Sequence, residues 1–384
     1  SRLLQHCLPR QTLFITGKGG SCVDPIVGED LEAVVSAANF SPEGCSVEEL
    51  MEALGSWSLI VRQQAAVELG KRDENVVAEL IAMLDSPNRY ARYGACVGLE
   101  YAGRKSEAAV DAMVAEIEND RDMTLRFFAV NSLKLPRRGA KENGLGSAVQ
   151  KATTSLLKLA STYEPEQDPR RKLQKEIANL LFYGGRAQKH QGYFPRGEGS
   201  ETLDRDLLIA AMKSWLINPN GAARSDASQV FEHLSEEELK QVWGNVYHAT
   251  RYPAPSGVMF SGGVRYNGIK LMANHGVKEG LDVGIRIVAH ETGWGDFGRK
   301  GAGFPALMPY GQALEPHYPE LEGVIDSWAA MRNEDRQKSA RKFAELLATA
   351  KETKAPKLTS IEAYIDAYEK AAEGKAGNGG RVEE

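Results

Sequence analysis

The residues that come closest to a catalytic signature are His290 and Glu291, which begin like the zinc-protease motif His-Glu-x-x-His. Two histidines four positions apart on a helix can share a metal ion, but Trp294 occupies the second position. The segment Gly17–Ser21 is similar to a phosphate-binding loop, yet its Lys stands too early and no helix is predicted to start at Ser21. We therefore assign no catalytic residue, no cofactor and no metal ligand.

Two loops carry the residue types that bind partners. The segment Gly184–Ser200 is the longest irregular stretch, and Tyr252–Gly263 is rich in Pro, Gly and aromatic residues. Aromatic and Arg side chains held on a rigid frame are common anchors of binding surfaces. The alternative is that the aromatic rings fill gaps between helix layers. The candidate binding residues are Tyr193, Phe194, Arg196, Tyr252, Phe260 and Arg265.

The elements that must position these loops are helices, because the sequence repeats itself between Trp57 and Leu133. Arg62, Arg92 and Arg126 are 30 and 34 residues apart, each followed after three residues by Ala and after seven by Leu. Small and apolar residues at these offsets line one helix face. Further helical patterns lie between the copies, at 76–84 and 108–117. One repeat is therefore a helix pair, which is typical of an α-solenoid.

The aligned arginines are predicted to be structural. Asp85 and Asp120 precede Arg92 and Arg126 by about two helical turns. An Asp in such a turn can accept hydrogen bonds from an Arg of the neighbouring repeat, whose planar guanidinium suits a carboxylate. A fourth copy is predicted around Arg265, with a partner helix over 279–290. A degenerate further copy is predicted over 299–307.

The chain as a whole is predicted to be all-α, a right-handed HEAT-like α-solenoid (armadillo-type superhelix) with a short irregular N-terminal cap. Ser46 with Glu49, and Ser235 with Glu238, predict capping boxes at two helix starts. One amphipathic helical stretch is predicted over 319–350. The predicted divisions are 1–54 (cap, with a short strand at 11–16 and a helix at 29–38), 55–183 (HEAT-like repeats), 184–202 (irregular loop), 203–373 (second helical region) and 374–384 (disordered tail).

Composition narrows the possible partners. The net charge is −5, and the short basic runs do not form the clustered face that nucleic-acid binding needs. No apolar run approaches the roughly 20 residues of a membrane span. The four cysteines show no metal-binding spacing, and the redox compartment stays open. Because the chain starts with Ser1, we expect a processed or trimmed start from which any export signal is gone.

The segment Leu84–Arg92 (Leu-Asp-Ser-Pro-Asn-Arg-Tyr-Ala-Arg) resembles HEAT repeats of the short bacterial type, over about residues 55–135. Four other segments resemble an uncharacterised family of bacterial HEAT-repeat proteins, a domain of unknown function. The resemblance implies an armadillo-type superhelix and is consistent with the C-terminal part of a longer exported protein. It implies no established activity and carries over no catalytic residue. Those segments are Phe14–Gly19, Trp215–Pro219, Ala254–Phe260 and His275–Gly280.

These observations favour a non-enzymatic scaffold that binds another protein or a preceding domain of its own precursor. The first alternative is an enzyme or enzyme subunit with a polar site where the loops 184–200 and 252–263 meet helix ends. The second is a nucleic-acid-binding solenoid, which the charge pattern disfavours. The compartment stays undetermined.

Overall fold

The structure, a computed structural model, describes residues 37, 39–119, 122–133, 146–162, 173–182, 204–255, 262–290 and 303–378. Helix makes up 78% of it, in 16 helices packed in series, and the described residues contain no strand. The all-α prediction is therefore confirmed. The predicted strand at 11–16 and the predicted helix at 29–38, apart from residue 37, lie outside the described residues. Residues 299–302 of the degenerate copy also lie outside them, while 303–307 is helical.

The chain divides into two compact units. Unit 1 comprises Ser1–Leu159 and His190–Arg196, and unit 2 comprises Ala160–Lys189 and Gly197–Glu384. The described part of unit 1 includes a 3-10 helix, Pro42–Gly44. Its α-helices are α1 (Val47–Ala53), α2 (Leu59–Leu69), α3 (Val77–Met83), α4 (Arg89–Tyr101), α5 (Glu107–Glu118), α6 (Met123–Ser132) and α7 (Gly146–Ser161), whose last two residues fall in unit 2.

Short polar side chains cap the starts of α1, α4, α5 and α6 in unit 1. The predicted capping box at Ser46 and Glu49 is present, with the Ser46 side chain accepting from the Glu49 N–H. Asn88 caps α4 and Asp122 caps α6 in the same way, each accepting backbone N–H bonds of the first turn. The caps at Asn88 and Asp122 start α4 and α6, two of the three helices that carry the repeated arginines.

The helices of unit 1 pack in two rows. Helices α2, α4 and α6 contact one another in order, while α3 packs against α4 and α5 packs against α6. The second helix of each copy thus packs against the arginine helix of the next copy. The small residues that follow the arginines, Ala65, Ala95 and Ala129, are all 0% exposed, so the predicted apolar face is the buried one.

Unit 2 repeats this arrangement. Helices α8, α10 and α12 form one row, and α9, α11 and α13 form a second beside it. The predicted capping box at Ser235 and Glu238 starts α11. The helices are α8 (Leu173–Phe182), α9 (Arg205–Leu216), α10 (Gly221–Ala227), α11 (Glu236–Arg251), α12 (Gly262–Asn274), α13 (Lys278–Ile285), α14 (Tyr318–Ala329), α15 (Glu334–Glu352) and α16 (Glu362–Asn378).

Three helices of unit 2 differ from their predicted bounds. The stretch 319–350 is two helices, because α14 ends at Ala329 and the Asn333 side chain caps a new start for α15. The partner helix over 279–290 is α13 followed by a π-helical turn, Arg286–His290. The last helix reaches Asn378 and so includes 374–378 of the predicted disordered tail. The remainder of that tail lies outside the described residues.

A buried tyrosine ties the 3-10 helix Met308–His317 to the start of α13. The Tyr310 ring is 0% exposed, and its hydroxyl donates to the Val277 carbonyl at 2.6 Å. We expect Tyr310→Phe to lower the free energy of unfolding by about 1–1.5 kcal/mol, because only this hydrogen bond is removed. Urea unfolding followed by tryptophan fluorescence measures the change, with Tyr364→Phe at an exposed site as the control. Equal stability of both variants would contradict the expectation.

Candidate functional site

The predicted binding residues divide into three groups. Tyr193, Phe194, Arg196 and Phe260 lie outside the described residues. Tyr252, at the C-terminal cap of α11, is 45% exposed, so its ring does not fill an interior gap. Arg265 is only 1% exposed. Tyr252 is therefore the residue from which the site can be built.

Arg265 uses its guanidinium on the protein's own backbone. Its Nε donates to the Thr250 carbonyl at 2.9 Å and its Nη2 to the Arg251 carbonyl at 3.3 Å. These carbonyls belong to the last turn of α11, where helix geometry leaves the acceptors without intrahelical partners. Arg265 thus fixes the end of α11 from beneath the surface, which is a positioning role and not a ligand contact.

The same interaction recurs along the chain. Arg62 donates to the Ser56 carbonyl at 2.6 Å, and Arg92 donates to the Ser86 carbonyl at 2.9 Å. Arg92 also pairs with Asp122, 3.4 Å away at the start of the next helix of its row. The structural role predicted for these arginines therefore rests mainly on backbone carbonyls. Of the two carboxylates predicted as acceptors, Asp120 lies outside the described residues.

A further arginine of this kind, Arg224 on α10, was missed by the repeat alignment. Its Nε donates to the Asn218 carbonyl at 2.6 Å, its Nη2 to Ile217 at 3.3 Å and its Nη1 to Tyr252 at 3.3 Å. One buried guanidinium therefore holds two loop segments together. Ile217 is 49% exposed and Tyr252 is 45% exposed, and the carbonyls of both accept from Arg224.

Aromatic rings pack around His248, one turn before Tyr252. The imidazole lies 5.5 Å from the Tyr252 ring and 4.4 Å from the Tyr368 ring, with interplanar angles of 30° and 32°. Tyr247 contacts it edge-on at 5.7 Å. We call the group Tyr247, His248, Arg251, Tyr252, Tyr368 and Glu369, together with Ile217, the helix-end cluster; Ile217 joins the group through its carbonyl, which shares Arg224 with the Tyr252 carbonyl.

Charges in the cluster come from Arg251 and Glu369. The Arg251 guanidinium lies 5.2 Å from the centre of the Tyr252 ring and donates to the Tyr247 hydroxyl at 2.6 Å. Glu369 lies 3.1 Å from His248 Nε2. Burial lowers the pKa of His248, and this outweighs the opposing effect of Glu369. The imidazole is therefore mainly uncharged near pH 7.

Helix α16 reaches the cluster through a close approach at Gly244 on α11. A Cβ atom at this position would lie 2.6 Å from the Tyr368 Cβ, and it would also meet the Tyr364 carbonyl oxygen. Any side chain here would separate α16 from α11. The glycine thus allows Tyr368 and Glu369 to reach His248.

Another ionisable residue, Asp226, lies close in sequence to Arg224, the residue that bonds the Ile217 and Tyr252 carbonyls. Asp226 follows Arg224 by two residues on α10, and burial raises its pKa to about 7, an effect that Lys175 and the Asn179 side chain oppose. A carboxyl group that changes charge near neutral pH can mark a functional site, although packing between helices can have the same effect. Here the interacting groups lie on α8, the neighbouring helix of the row.

Other kinds of site find no support in the described parts of the chain. Among those residues no group of three His, Cys, Asp or Glu side chains is placed to hold a metal ion. None of the helices searched is long and apolar enough to cross a membrane. Cys45 and Cys96 are both free thiols, and burial raises the pKa of the Cys96 thiol.

Comparison with known proteins adds no assignment to this geometry. No protein-family model matches the sequence, and no curated protein is significantly similar to it. The chemistry of the cluster therefore has to support any assignment. It offers exposed apolar surface, a guanidinium stacked on an aromatic ring and a neutral imidazole, which is a combination suited to binding.

Proposed function

We propose that the chain is a non-enzymatic scaffold, built as a right-handed HEAT-like superhelix, that binds another protein or a preceding domain of its own precursor. The two-row packing of helix pairs in each unit supports the solenoid architecture. The resemblance of Leu84–Arg92 to HEAT repeats supports the same assignment. In this proposal the helix-end cluster is a contact surface for the partner.

The observation that carries the proposal is the pair Tyr252 and Ile217. These two residues are among the most exposed large apolar residues described, at 45% and 49%, and Arg224 holds both of their carbonyls. Single exposed apolar residues are common on protein surfaces. Tyr252 and Ile217, whose backbones are both held by Arg224 and which lie near Arg251, are a combination typical of binding surfaces. Tyr and Arg are also the residue types that dominate binding energy.

Peptide selection tests this proposal. The immobilised chain is panned against a displayed random-peptide library, and the affinity of selected peptides is measured for wild type and variants. We expect Tyr252→Ala to weaken binding about tenfold or more, as loss of an interface anchor does. Leu358→Ala is the matched control, because Leu358 is 39% exposed and belongs to the segment before α16. Equal losses in both variants, or no loss in either, would contradict the proposal.

One observation favours the enzyme alternative. His248, with a lowered pKa, lies beside Glu369, and a neutral imidazole next to a carboxylate can act as a general base. This alternative also needs the loops 184–200 and 252–263, of which 184–200 and residues 256–261 lie outside the described residues. Turnover of any substrate that is abolished by His248→Gln would favour the enzyme over the scaffold.

A further inference from the structure

The described charged groups near Tyr252 and Ile217 include more cations than anions. Arg224 is buried, and among the described residues it donates to the carbonyl oxygens of Asn218, Ile217 and Tyr252, which carry no net charge. Burial lowers the pKa of Arg224, but a guanidinium stays protonated in proteins. Within the part of the chain that the structure describes, no carboxylate is bonded to this cation.

Arg251 adds a second cation at the surface. Its Nη1 is bonded to the Tyr247 hydroxyl, while its Nε has no partner among the described residues. Glu369 is the acidic group that acts on Arg251, and its carboxylate lies 3.1 Å from His248. The described charged groups here thus include the guanidinium groups of Arg224 and Arg251 and the Glu369 carboxylate, which acts on Arg251, while His248 is mainly uncharged near pH 7.

We propose that the helix-end cluster selects an acidic segment with apolar side chains from its partner. A carboxylate of that segment pairs with Arg251, because a guanidinium presents several N–H donors to carboxylate oxygens. An aliphatic or aromatic side chain of the segment packs on Tyr252 and Ile217. A basic segment is disfavoured by the same two arginines. The inference rests on the proposed scaffold function and adds the chemistry of the partner.

Three synthetic peptides test the inference on the full chain. They are Ac-Glu-Leu-Glu-Phe-Glu-NH2, its Lys counterpart Ac-Lys-Leu-Lys-Phe-Lys-NH2, and Ac-Glu-Ala-Glu-Ala-Glu-NH2, which has acidic but no large apolar side chains. Each carries a fluorescent label, and affinity is measured by anisotropy at low and moderate salt. We expect the first peptide to bind about tenfold or more tightly than either of the others, and salt to weaken it.

Two substitutions separate the charge from the apolar contact. Arg251→Gln is expected to reduce affinity for the Glu-Leu-Glu-Phe-Glu peptide about fivefold and to abolish most of its salt dependence. Tyr252→Ala is expected to reduce affinity while leaving the salt dependence in place. Lys354→Gln, at an exposed position before α16, is the control for removal of a positive charge and should change neither quantity.

Equal affinity for the Lys and Glu peptides would overturn the inference, as would an Arg251→Gln variant that binds like wild type. The scaffold function would survive either result if Tyr252→Ala still weakened binding of the library-selected peptides. If Tyr252→Ala left both kinds of peptide unaffected, the inference and the proposed function would fail together.

Discussion

Replacing Asp226 with Asn is expected to stabilise unit 2 at pH 8 much more than at pH 5. The folded-state pKa of Asp226 is raised to about 7 from a reference value of 3.8, chiefly by burial. The folded protein therefore keeps a proton that the unfolded chain releases, and stability falls as the pH rises until the folded pKa is passed. Between pH 5 and pH 8 the free energy of unfolding therefore falls by about 2–3 kcal/mol. Asn does not ionise, so the Asp226→Asn variant does not lose this stability.

Urea unfolding at the two pH values measures the effect. Tryptophan fluorescence reports on unit 2, since Trp215, Trp243 and Trp328 are all buried there. The control is Asp206→Asn on the exposed face of α9, which should change stability by less than about 0.5 kcal/mol at either pH. A gain from Asp226→Asn that is the same at pH 5 and pH 8 would show that its ionisation is not linked to folding.

The second large effect is expected at Gly94 on α4. A Cβ atom at this position would lie 2.8 Å from the Leu54 carbonyl carbon and 2.9 Å from the Leu54 Cβ, and still closer to the carbonyl oxygen. Because backbone atoms cannot rotate away as a side chain can, α4 would have to move off the end of α1. We expect Gly94→Ala to destabilise unit 1 by about 3 kcal/mol.

Hydrogen exchange read by mass spectrometry localises this effect. Peptides from α2, α4 and α6 should lose protection in Gly94→Ala, because these helices form one packed row. Gly323→Ala on α14 is the matched control, since nothing lies within 4 Å of the added Cβ and Ala favours a helix. Unchanged protection of α4 in Gly94→Ala would show that the close contact is not needed for packing.

The sequence predicts the repeated helices well because their signal is local. Ala65, Ala95 and Ala129 occupy the same offset from an Arg, and all three are buried where helices of one row meet. The capping boxes at Ser46 and Ser235 are local signals too, and both form. Helix starts and buried faces depend on residues within one or two turns, so they can be read from spacing.

Arg224 could have been found with a broader alignment. Asn218-Pro219-Asn220 precedes Arg224 much as Ser86-Pro87-Asn88 precedes Arg92, and Asn220 and Asn88 both cap their helices through the side chain. Ala227 and Phe231 then follow at the offsets where Ala and Leu follow the other arginines. Phe231 is a large apolar residue at the last position, as Met272 is in the copy at Arg265.

The helix-end cluster itself could not be predicted from spacing. His248 and Tyr368 are about 120 residues apart in the sequence, and they meet because α16 packs against α11 at Gly244. Nothing near either residue signals this contact. Tyr252 was predicted as a binding residue from its loop composition. The Arg224 hydrogen bond to its carbonyl and the His248 ring beside it depend on tertiary packing.

Site-specific photocrosslinking at position 252 tests the central claim most directly. Tyr252→p-benzoylphenylalanine places a light-activated group in the helix-end cluster, and Leu358→p-benzoylphenylalanine places it on the segment before α16. With a library-selected peptide bound at a saturating concentration, the scaffold account predicts a covalent adduct at position 252 and little at position 358. Adduct formation at position 358 alone, with binding intact in both variants, would show that the partner occupies a different surface.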